Sequence, residues 1–303
     1  MNDLGAHASD IVAGDWIDRR LPRVTRPYAR LMRLDRPIGT WLLLWPCWWS
    51  LGLSGAGPES WRLYILFGLG AVLMRGAGCT YNDIVDRNYD AAVARTASRP
   101  LPSSQITPFQ AWVFLVAQLL AALGVLMQLN GTAIGLGVAS LALVVTYPFM
   151  KRITYWPQAW LGLTFNWGAL MGWAAAMGEV GAPAVALYVG GILWTLGYDT
   201  IYAHQDKDDD ALIGVKSSAL ALAERSLPFI GGCYALSVLL IIIAVPMAVW
   251  NFGFFAAMAL AAAHLGWQVT TLDTSDAANC LKRFRGNRDV GILVMLAVAA
   301  TRI

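Results

Sequence analysis

The sequence predicts an all-α, polytopic membrane protein, a bundle of about nine transmembrane helices. Two observations carry this prediction. The 303 residues are 57% hydrophobic and only 14% charged, whereas soluble domains carry about 25% charged residues. Apolar stretches of about 20 residues, the length that crosses a bilayer, also recur along the chain. The predicted spans are 37–57, 61–81, 108–129, 132–150, 159–178, 183–203, 227–249, 252–272 and 289–303.

The basic residues predict how these spans are oriented. Of the 22 Lys and Arg, 19 lie in the N-terminal segment or in four predicted loops. By the positive-inside rule, those segments face the cytoplasm. On the opposite side, the connections 130–131 and 250–251 are short enough to form only turns. The four predicted cytoplasmic loops are 83–107, 151–158, 204–226 and 273–288.

The chain is predicted to have two parts, a cytoplasmic N-terminal tail over 1–32 and a membrane domain over 33–303. The tail is rich in arginine, but Asp15 and Asp18 interrupt the basic run. Mitochondrial presequences avoid acidic residues, and no apolar signal segment follows the start of the chain. We therefore expect the protein in a bacterial inner membrane, with its N-terminus in the cytoplasm.

A first acidic cluster follows the second predicted span. It contains Asn82, Asp83, Asp86 and Asp90. At about 100° per residue, Asn82, Asp86 and Asp90 fall on one stripe of a helix, about 80° wide. Asp83 lies beside Asp86 on the same side of this helix.

A second acidic cluster follows the sixth predicted span. It contains Asp199, Tyr202, Asp206 and Asp210. If the helix continues through this segment, Asp199, Asp206 and Asp210 lie within about 40° of one another. Both clusters are predicted on the same membrane face.

Carboxylates on one helix face repel one another unless cations neutralise them. Hard oxygen ligands select Mg²⁺ or Ca²⁺, and Mg²⁺ prefers one or two carboxylates completed by water and substrate phosphate. The two clusters are therefore interpreted as holding a diphosphate through bridging Mg²⁺. The alternative is a set of solvated loop acids that cap helix ends, which two in-phase clusters on one face make improbable. The four Cys and three His are too scattered for a transition-metal site.

Basic residues lie close to both clusters and suit phosphate, because arginine binds phosphate oxygens in a bidentate manner and lysine acts as a point charge. The alternative is orienting charge that contacts lipid headgroups, which is preferred for Arg225 and for the basic residues of 282–288. The candidates for substrate binding are Arg87, Arg95, Arg99, Lys151, Arg152 and Lys207.

Arg75 lies inside a predicted span, seven positions before Asn82. Two helical turns separate these residues and place them on nearly the same face. An unpaired arginine at this depth is costly, so it is predicted to bind an anionic group of a substrate. An ion pair with a neighbouring aspartate is the alternative.

The paired motifs resemble those of the UbiA family of membrane prenyltransferases. The first motif is Asn82-Asp83-x-x-Asp86-Arg87-x-x-Asp90, and the second begins at Tyr198-Asp199-Thr200-x-Tyr202 and continues to Asp206 and Asp210. The loop from Arg95 to Pro102 also resembles the family, although Ser104 stands where members commonly carry glycine. Stretches beginning at Arg33, Met74, Asp206 and Ile213 resemble the branch that uses 4-hydroxybenzoate.

The resemblance implies a nine-helix bundle with a cytosolic cap over a central cavity. It also implies Mg²⁺-dependent transfer of a polyprenyl chain from polyprenyl diphosphate to 4-hydroxybenzoate, on the ring carbon beside the hydroxyl, as an early membrane step of ubiquinone biosynthesis. Membrane lipid is an expected partner, and nucleic acid is not. Carried over by residue, Asn82, Asp86, Asp206 and Asp210 would bind Mg²⁺. Catalytic or supporting roles would fall to Asp83, Asp90, Asp199 and Tyr202.

Two alternatives remain from the sequence. One is a family member that acts on homogentisate, a naphthoate, a chlorophyllide or haem. The other is a divalent cation transporter, although transporters place such acids near the membrane midplane on broken helices.

Overall fold

The computed structural model describes residues 11, 14–55, 60–93 and 95–302, without the side chain of residue 209. The rest of the predicted tail, the end of the span 37–57 and the last residue of the chain lie outside the described residues. Within the described ranges, the regular secondary structure is entirely helical. The helices are α1 (Trp16–Arg20), α2 (Arg26–Leu31), α3 (Ile38–Leu53), α4 (Trp61–Asp90), α5 (Pro108–Leu126), α6 (Gly131–Ile153), α7 (Pro157–Met177), α8 (Ala182–Ala203), α9 (Lys207–Ile213), α10 (Ser218–Leu222), α11 (Ser226–Ala244), α12 (Phe252–Thr270) and α13 (Ala277–Ala300).

A helix covers most of the described part of every predicted span, which confirms the all-α class. Six segments of the described chain are helical, long and apolar enough to cross a membrane, so the protein is a multi-pass membrane protein. Helices α3, α7 and α13 are not among these six, and α3 has only 16 residues. The count of nine membrane spans therefore stays a prediction. The six segments are Trp61–Asp90, Pro108–Leu126, Gly131–Ile153, Ala182–Asp206, Ser218–Ala244 and Phe252–Thr270.

The last helix begins earlier than predicted, and the predicted loop 273–288 is wrong beyond residue 276. Helix α13 starts at Ala277, because the side chain of Asp276 accepts hydrogen bonds from the backbone N–H groups of Ala278 and Asn279, at 2.8 and 3.2 Å. Such an aspartate cap satisfies N–H groups that have no partner within the helix. The basic residues of 282–288 are therefore helical.

Two other connections differ from the prediction. The loop 204–226 contains α9 and α10, and the predicted turn at 250–251 is a longer connection that includes a 3₁₀ turn at Met247–Val249. The short connection predicted at 130–131 lies at 127–130, and its last residue, Asn130, caps α6 by accepting from the backbone N–H of Ala133.

The chain divides into two compact units, and the first consists of residues 1–40 and 69–125. Its apolar core joins α2, α4, the loop after α4, and α5. Burial of this core removes apolar surface from water or lipid and fixes the helix that carries the first acidic cluster. The buried core residues are Leu31, Ala77, Ile84, Leu101, Ile106, Ala111 and Leu115.

The second unit consists of residues 41–68 and 126–303. Its helices approach closely at glycines, as helices in membranes commonly do. A Cβ atom at Gly191 would clash with the Asn166 side chain, and one at Gly197 would clash with the Tyr234 ring. These contacts pack α8 against α7 and α11, and α8 leads directly into the second acidic cluster.

A buried hydrogen-bond network ties four helices of the second unit together. The Asn287 side-chain oxygen on α13 accepts from the Trp194 indole on α8, at 2.7 Å. Its amide nitrogen donates to the Gln268 side-chain oxygen on α12, at 3.1 Å, and the Tyr234 hydroxyl on α11 donates to the same oxygen. Asn287 and Gln268 are fully buried. Because each polar group has a partner, the network stabilises one arrangement of the helices.

Candidate functional site

The first acidic cluster lies on the last turns of α4, which is continuous to Asp90. The predicted stripe of Asn82, Asp86 and Asp90 on one helix is therefore confirmed. Asp83 and Asp86 have no exposed surface, and Asp90 is also buried. Asn82 is half-buried and Arg87 is exposed.

Two aspartates of this cluster are held by two arginines. Arg33 Nη2 lies 2.6 Å from Asp83 Oδ1. Arg99 Nη1 lies 3.4 Å from the same oxygen and 3.0 Å from Asp90 Oδ2. The two carboxylates and two guanidinium groups balance in charge, as burial requires. Arg99, which was predicted to bind substrate, therefore contacts motif carboxylates.

Arg33 was absent from the predicted site residues, although its stretch contributed to the resemblance. It follows the end of α2 in the left-handed region, with φ +57°. The backbone N–H of Leu34 donates to the Ala29 carbonyl at 3.1 Å and closes the helix end. Glycine is the usual residue at such a helix end. The ion pair with Asp83, 50 positions later in the chain, explains why this position holds an arginine although its backbone conformation favours glycine.

Arg75 lies on α4, as predicted, two turns before Asn82. Its guanidinium group packs against Gly39, in the first turn of α3. A Cβ atom at Gly39 would lie 2.5 to 2.7 Å from Arg75 Nε, Nη2 and Cζ. The space that this arginine occupies therefore depends on the absence of a side chain at Gly39.

The second acidic cluster is not on one continuous α-helix, which corrects the prediction. Helix α8 ends at Ala203, a 3₁₀ turn covers His204–Asp206, and α9 begins at Lys207. The three-residue period of the turn changes the direction of the following side chains. The predicted common stripe of Asp199, Asp206 and Asp210 is therefore wrong, although all three side chains are half-buried.

Aromatic rings on α8 and α13 pack beside this cluster. The Phe284 ring lies 4.6 Å from the Tyr202 ring and 5.8 Å from the Tyr198 ring, centroid to centroid. Ring pairs at these distances stabilise the packing beyond the area that they bury. Phe284 therefore holds the tyrosines of the second motif, a contact between distant segments that periodicity does not reveal.

Two predicted basic residues, Lys151 and Arg152, end α6 and lie close in space to the segment after the second cluster. Helix α9 closes at Gly214, with φ +73°, and the backbone N–H of Val215 donates to the Asp210 carbonyl at 2.9 Å. The next N–H, of Lys216, donates to the Lys151 carbonyl at 2.9 Å. These bonds bring the basic end of α6 beside the end of α9. The remaining predicted basic residues, Arg95 and Lys207, are half-buried.

The oxygen donors of the first cluster are of the type that binds Mg²⁺. In the first cluster, arginines hold Asp83 and Asp90, and the stripe adds one amide and one carboxylate, at Asn82 and Asp86. Mg²⁺ takes few protein ligands and completes its shell with water and phosphate. No group of three or more His, Cys, Asp or Glu among the described residues is placed to hold a metal ion.

Comparison with known proteins assigns the class. Residues 43–294 match the UbiA prenyltransferase family. The chain belongs to this family, which is a family of transferases rather than of cation transporters.

The chain is similar to particular members of the family. It is 52% identical over 282 residues to the 4-hydroxybenzoate polyprenyltransferase, mitochondrial, of Rattus norvegicus, and the match covers 91% of this chain and 75% of the relative. The apo structure of a UbiA homolog from Aeropyrum pernix K1 has a TM-score of 0.74 at 26% identity and covers 87% of this chain and 98% of that chain. The structure of a UbiA homolog from Archaeoglobus fulgidus bound to GPP and Mg²⁺ has a TM-score of 0.67 at 17% identity and covers 91% of this chain and 100% of that chain.

Proposed function

We propose that the protein transfers a polyprenyl chain from polyprenyl diphosphate to the ring carbon of 4-hydroxybenzoate beside its hydroxyl group, with Mg²⁺, as an early membrane step of ubiquinone biosynthesis. The observation that carries the proposal is the 52% identity over 91% of the chain with a relative named for this activity. The buried motif on α4 supports it, because its oxygen donors fit a metal that binds diphosphate.

The residues of the first cluster divide into two roles. Asn82 and Asp86 are proposed Mg²⁺ ligands. Asp83 and Asp90 are proposed to support them, and Arg33 and Arg99 to orient these two carboxylates. This proposal changes the predicted role of Arg99 from substrate binding to positioning, because its guanidinium group lies between two aspartates.

The second cluster is proposed to act on the same diphosphate. Asp206 and Asp210 are the proposed Mg²⁺ ligands, and Asp199 and Tyr202 support them. Bound Mg²⁺ would neutralise negative charge on the departing diphosphate. Basic side chains would bind the diphosphate oxygens. These basic residues are Arg87, Arg95, Lys151, Arg152 and Lys207.

The proposed location is a bacterial inner membrane, with the N-terminal tail and the acidic clusters on the cytoplasmic side. The positive-inside distribution of Lys and Arg supports this orientation. Protease protection of an N-terminal tag in inverted and right-side-out vesicles checks the orientation. Cleavage in the inverted vesicles alone is expected.

A product assay tests the function. Membranes that contain the protein are supplied with Mg²⁺, a polyprenyl diphosphate and one acceptor at a time, and the product is identified by mass spectrometry. We expect prenylated 4-hydroxybenzoate, and no product after chelation of Mg²⁺. Turnover of homogentisate, a naphthoate, a chlorophyllide or haem without turnover of 4-hydroxybenzoate would refute the proposed acceptor.

Arg75 is proposed to bind the acceptor carboxylate. Arg75→Ala is expected to raise the KM for 4-hydroxybenzoate by about tenfold to a hundredfold, because a charge-assisted hydrogen bond is lost. The KM for the diphosphate is expected to change little. Steady-state kinetics with each substrate varied in turn measure both constants. Equal increases in the two constants would exclude the carboxylate role.

Gly39→Ala provides an independent test of the same role. The added Cβ would lie 2.5 to 2.7 Å from the Arg75 guanidinium group, so this group must move. We expect the acceptor KM to rise by about tenfold, since a misplaced contact loses one hydrogen bond. The matched control is Gly78→Ala, where a Cβ meets no atom within 4 Å. If the acceptor KM of Gly39→Ala equals that of Gly78→Ala, the position of the Arg75 guanidinium group beside Gly39 does not matter for acceptor binding.

A further inference from the structure

Helix α13 has a buried face and an exposed face. The buried face packs on three helices. It accepts the Trp49 indole hydrogen bond from α3 at the Gly291 carbonyl, at 3.0 Å, and Asn287 contacts α8 and α12. The opposite face is exposed along the length of the helix. Its residues are Lys282, Arg285, Arg288, Ile292 and Leu296.

The exposed face changes in chemistry from basic to apolar along the helix. Lys282, Arg285 and Arg288 are spaced three residues apart and together span about 9 Å of helix axis. No carboxylate of the described residues lies within ion-pair distance of Lys282 or Arg285, whereas Arg288 pairs with Asp289 at 2.9 Å. Two of the three cations therefore have no protein counter-ion in the described chain.

Contacts with α12 place this basic segment beside the end of a candidate membrane span. Asn279 and Arg283 both donate to the Thr271 carbonyl, each at 3.2 Å, one residue past the end of α12. At the other end, the Asn251 amide donates to the Ala300 carbonyl at 2.7 Å. The two helices are thus antiparallel and in register, so the basic residues lie near the boundary at which α12 leaves the apolar layer.

The surroundings of the basic segment are typical of a headgroup region. Trp267 on α12 is 42% exposed, and the Arg283 guanidinium group stacks on its ring at 4.0 Å. Tryptophan is enriched at membrane interfaces. Below the basic segment, Ile292 and Leu296 follow Arg288 at intervals of about 6 Å. A lipid whose phosphate contacts the cations could lay its acyl chains along these apolar side chains.

We propose that the face formed by Lys282, Arg285 and Arg288 binds the headgroup phosphate of an anionic membrane phospholipid. Lys282 and Arg285, which have no counter-ion in the described chain, attract the negatively charged phosphate. Ile292 and Leu296, on the same face, contact the acyl chains. The inference concerns this outer face of α13 and is independent of the catalysed reaction. A soluble phosphate would gain only the electrostatic contact, because it has no chains to place on Ile292 and Leu296.

The test measures lipid binding to the full-length protein in neutral detergent. Phosphatidylglycerol is titrated, and bound lipid is counted by native mass spectrometry, with phosphatidylcholine as the neutral lipid. Lys282→Gln/Arg285→Gln is expected to raise the dissociation constant for phosphatidylglycerol by about 25-fold, at about fivefold for each charge removed. The charge-conserving variant Lys282→Arg/Arg285→Lys is expected to bind as the unmodified protein does.

The matched control removes two exposed charges elsewhere in the chain, at Arg23 and Arg62. Arg23→Gln/Arg62→Gln lowers the net charge equally and is expected to change the dissociation constant less than about twofold, since binding through a local site does not follow net charge. Equal losses in the two double variants would overturn the proposal, as would unchanged binding in Lys282→Gln/Arg285→Gln. Displacement of the lipid by inorganic phosphate at matched ionic strength would also overturn it.

Discussion

Asp86→Asn is expected to lower kcat/KM for prenyl transfer by about a thousandfold, the magnitude lost when one group that stabilises transition-state charge is removed. The substitution keeps the size of the side chain and replaces a charged carboxylate oxygen with a neutral amide oxygen, which binds Mg²⁺ more weakly. Asp86 is fully buried on α4, so its charge is little screened by solvent and salt. Initial rates of product formation, measured over a range of polyprenyl diphosphate concentrations at several Mg²⁺ concentrations, give kcat/KM and test this expectation.

The matched control is Asp208→Asn, the same change at an exposed aspartate on α9. We expect less than about a twofold change in kcat/KM, because an exposed charge is screened by solvent and salt. Thermal unfolding of both variants in detergent separates loss of activity from loss of structure. If Asp86→Asn keeps more than a tenth of the original activity while folded, Asp86 is not a metal ligand.

Arg33→Met is expected to lower the free energy of unfolding by about 3 kcal/mol or more, the cost of removing one partner from a buried ion pair. The variant leaves the Asp83 carboxylate, with no exposed surface, without its contact at 2.6 Å. Arg99, at 3.4 Å from the same oxygen, compensates only in part because it also binds Asp90. Unfolding of the purified protein in mixed detergent and denaturant measures the difference.

Two further variants show whether the loss arises from the buried pair. Arg33→Met/Asp83→Leu is expected to recover much of the lost stability, since apolar replacements of a buried pair are often tolerated. Arg26→Met removes a partner of Asp18 from a pair that is 3.7 Å long and partly exposed, and is expected to cost less than about 1 kcal/mol. A cost for Arg33→Met no greater than that of Arg26→Met would show that Arg33 does not hold the motif.

Much of the fold followed from local features of the sequence. Helices were predicted wherever apolar stretches of membrane length occur, because a lipid-exposed backbone must form its hydrogen bonds internally. The stripe of Asn82, Asp86 and Asp90 followed from the helical period and from the continuity of α4. Asn130, which caps α6, marked the turn between α5 and α6.

Other features could not be predicted from the sequence, for physical reasons. The 3₁₀ turn at His204–Asp206 contains no Gly or Pro that would signal a break in the helix. Helix α13 begins at Ala277, and Asp276 before it is a local N-cap signal. The many basic residues of 282–288 led to the prediction of a loop instead. The roles of Arg33 and Arg99 depend on contacts with Asp83 across 50 and 16 positions, and no periodicity encodes such contacts.

The sequence by itself therefore determined the all-α membrane class, the family resemblance and the residues with metal-binding chemistry. These depend on hydrophobicity, helical period and residue type, which are properties of short segments. The tertiary structure decided which aspartates are neutralised by arginines, how Gly39 makes room for Arg75, and how Asn287 joins four helices. These depend on side chains brought together from distant segments, where burial makes each unpaired charge or polar group costly and so selects one arrangement.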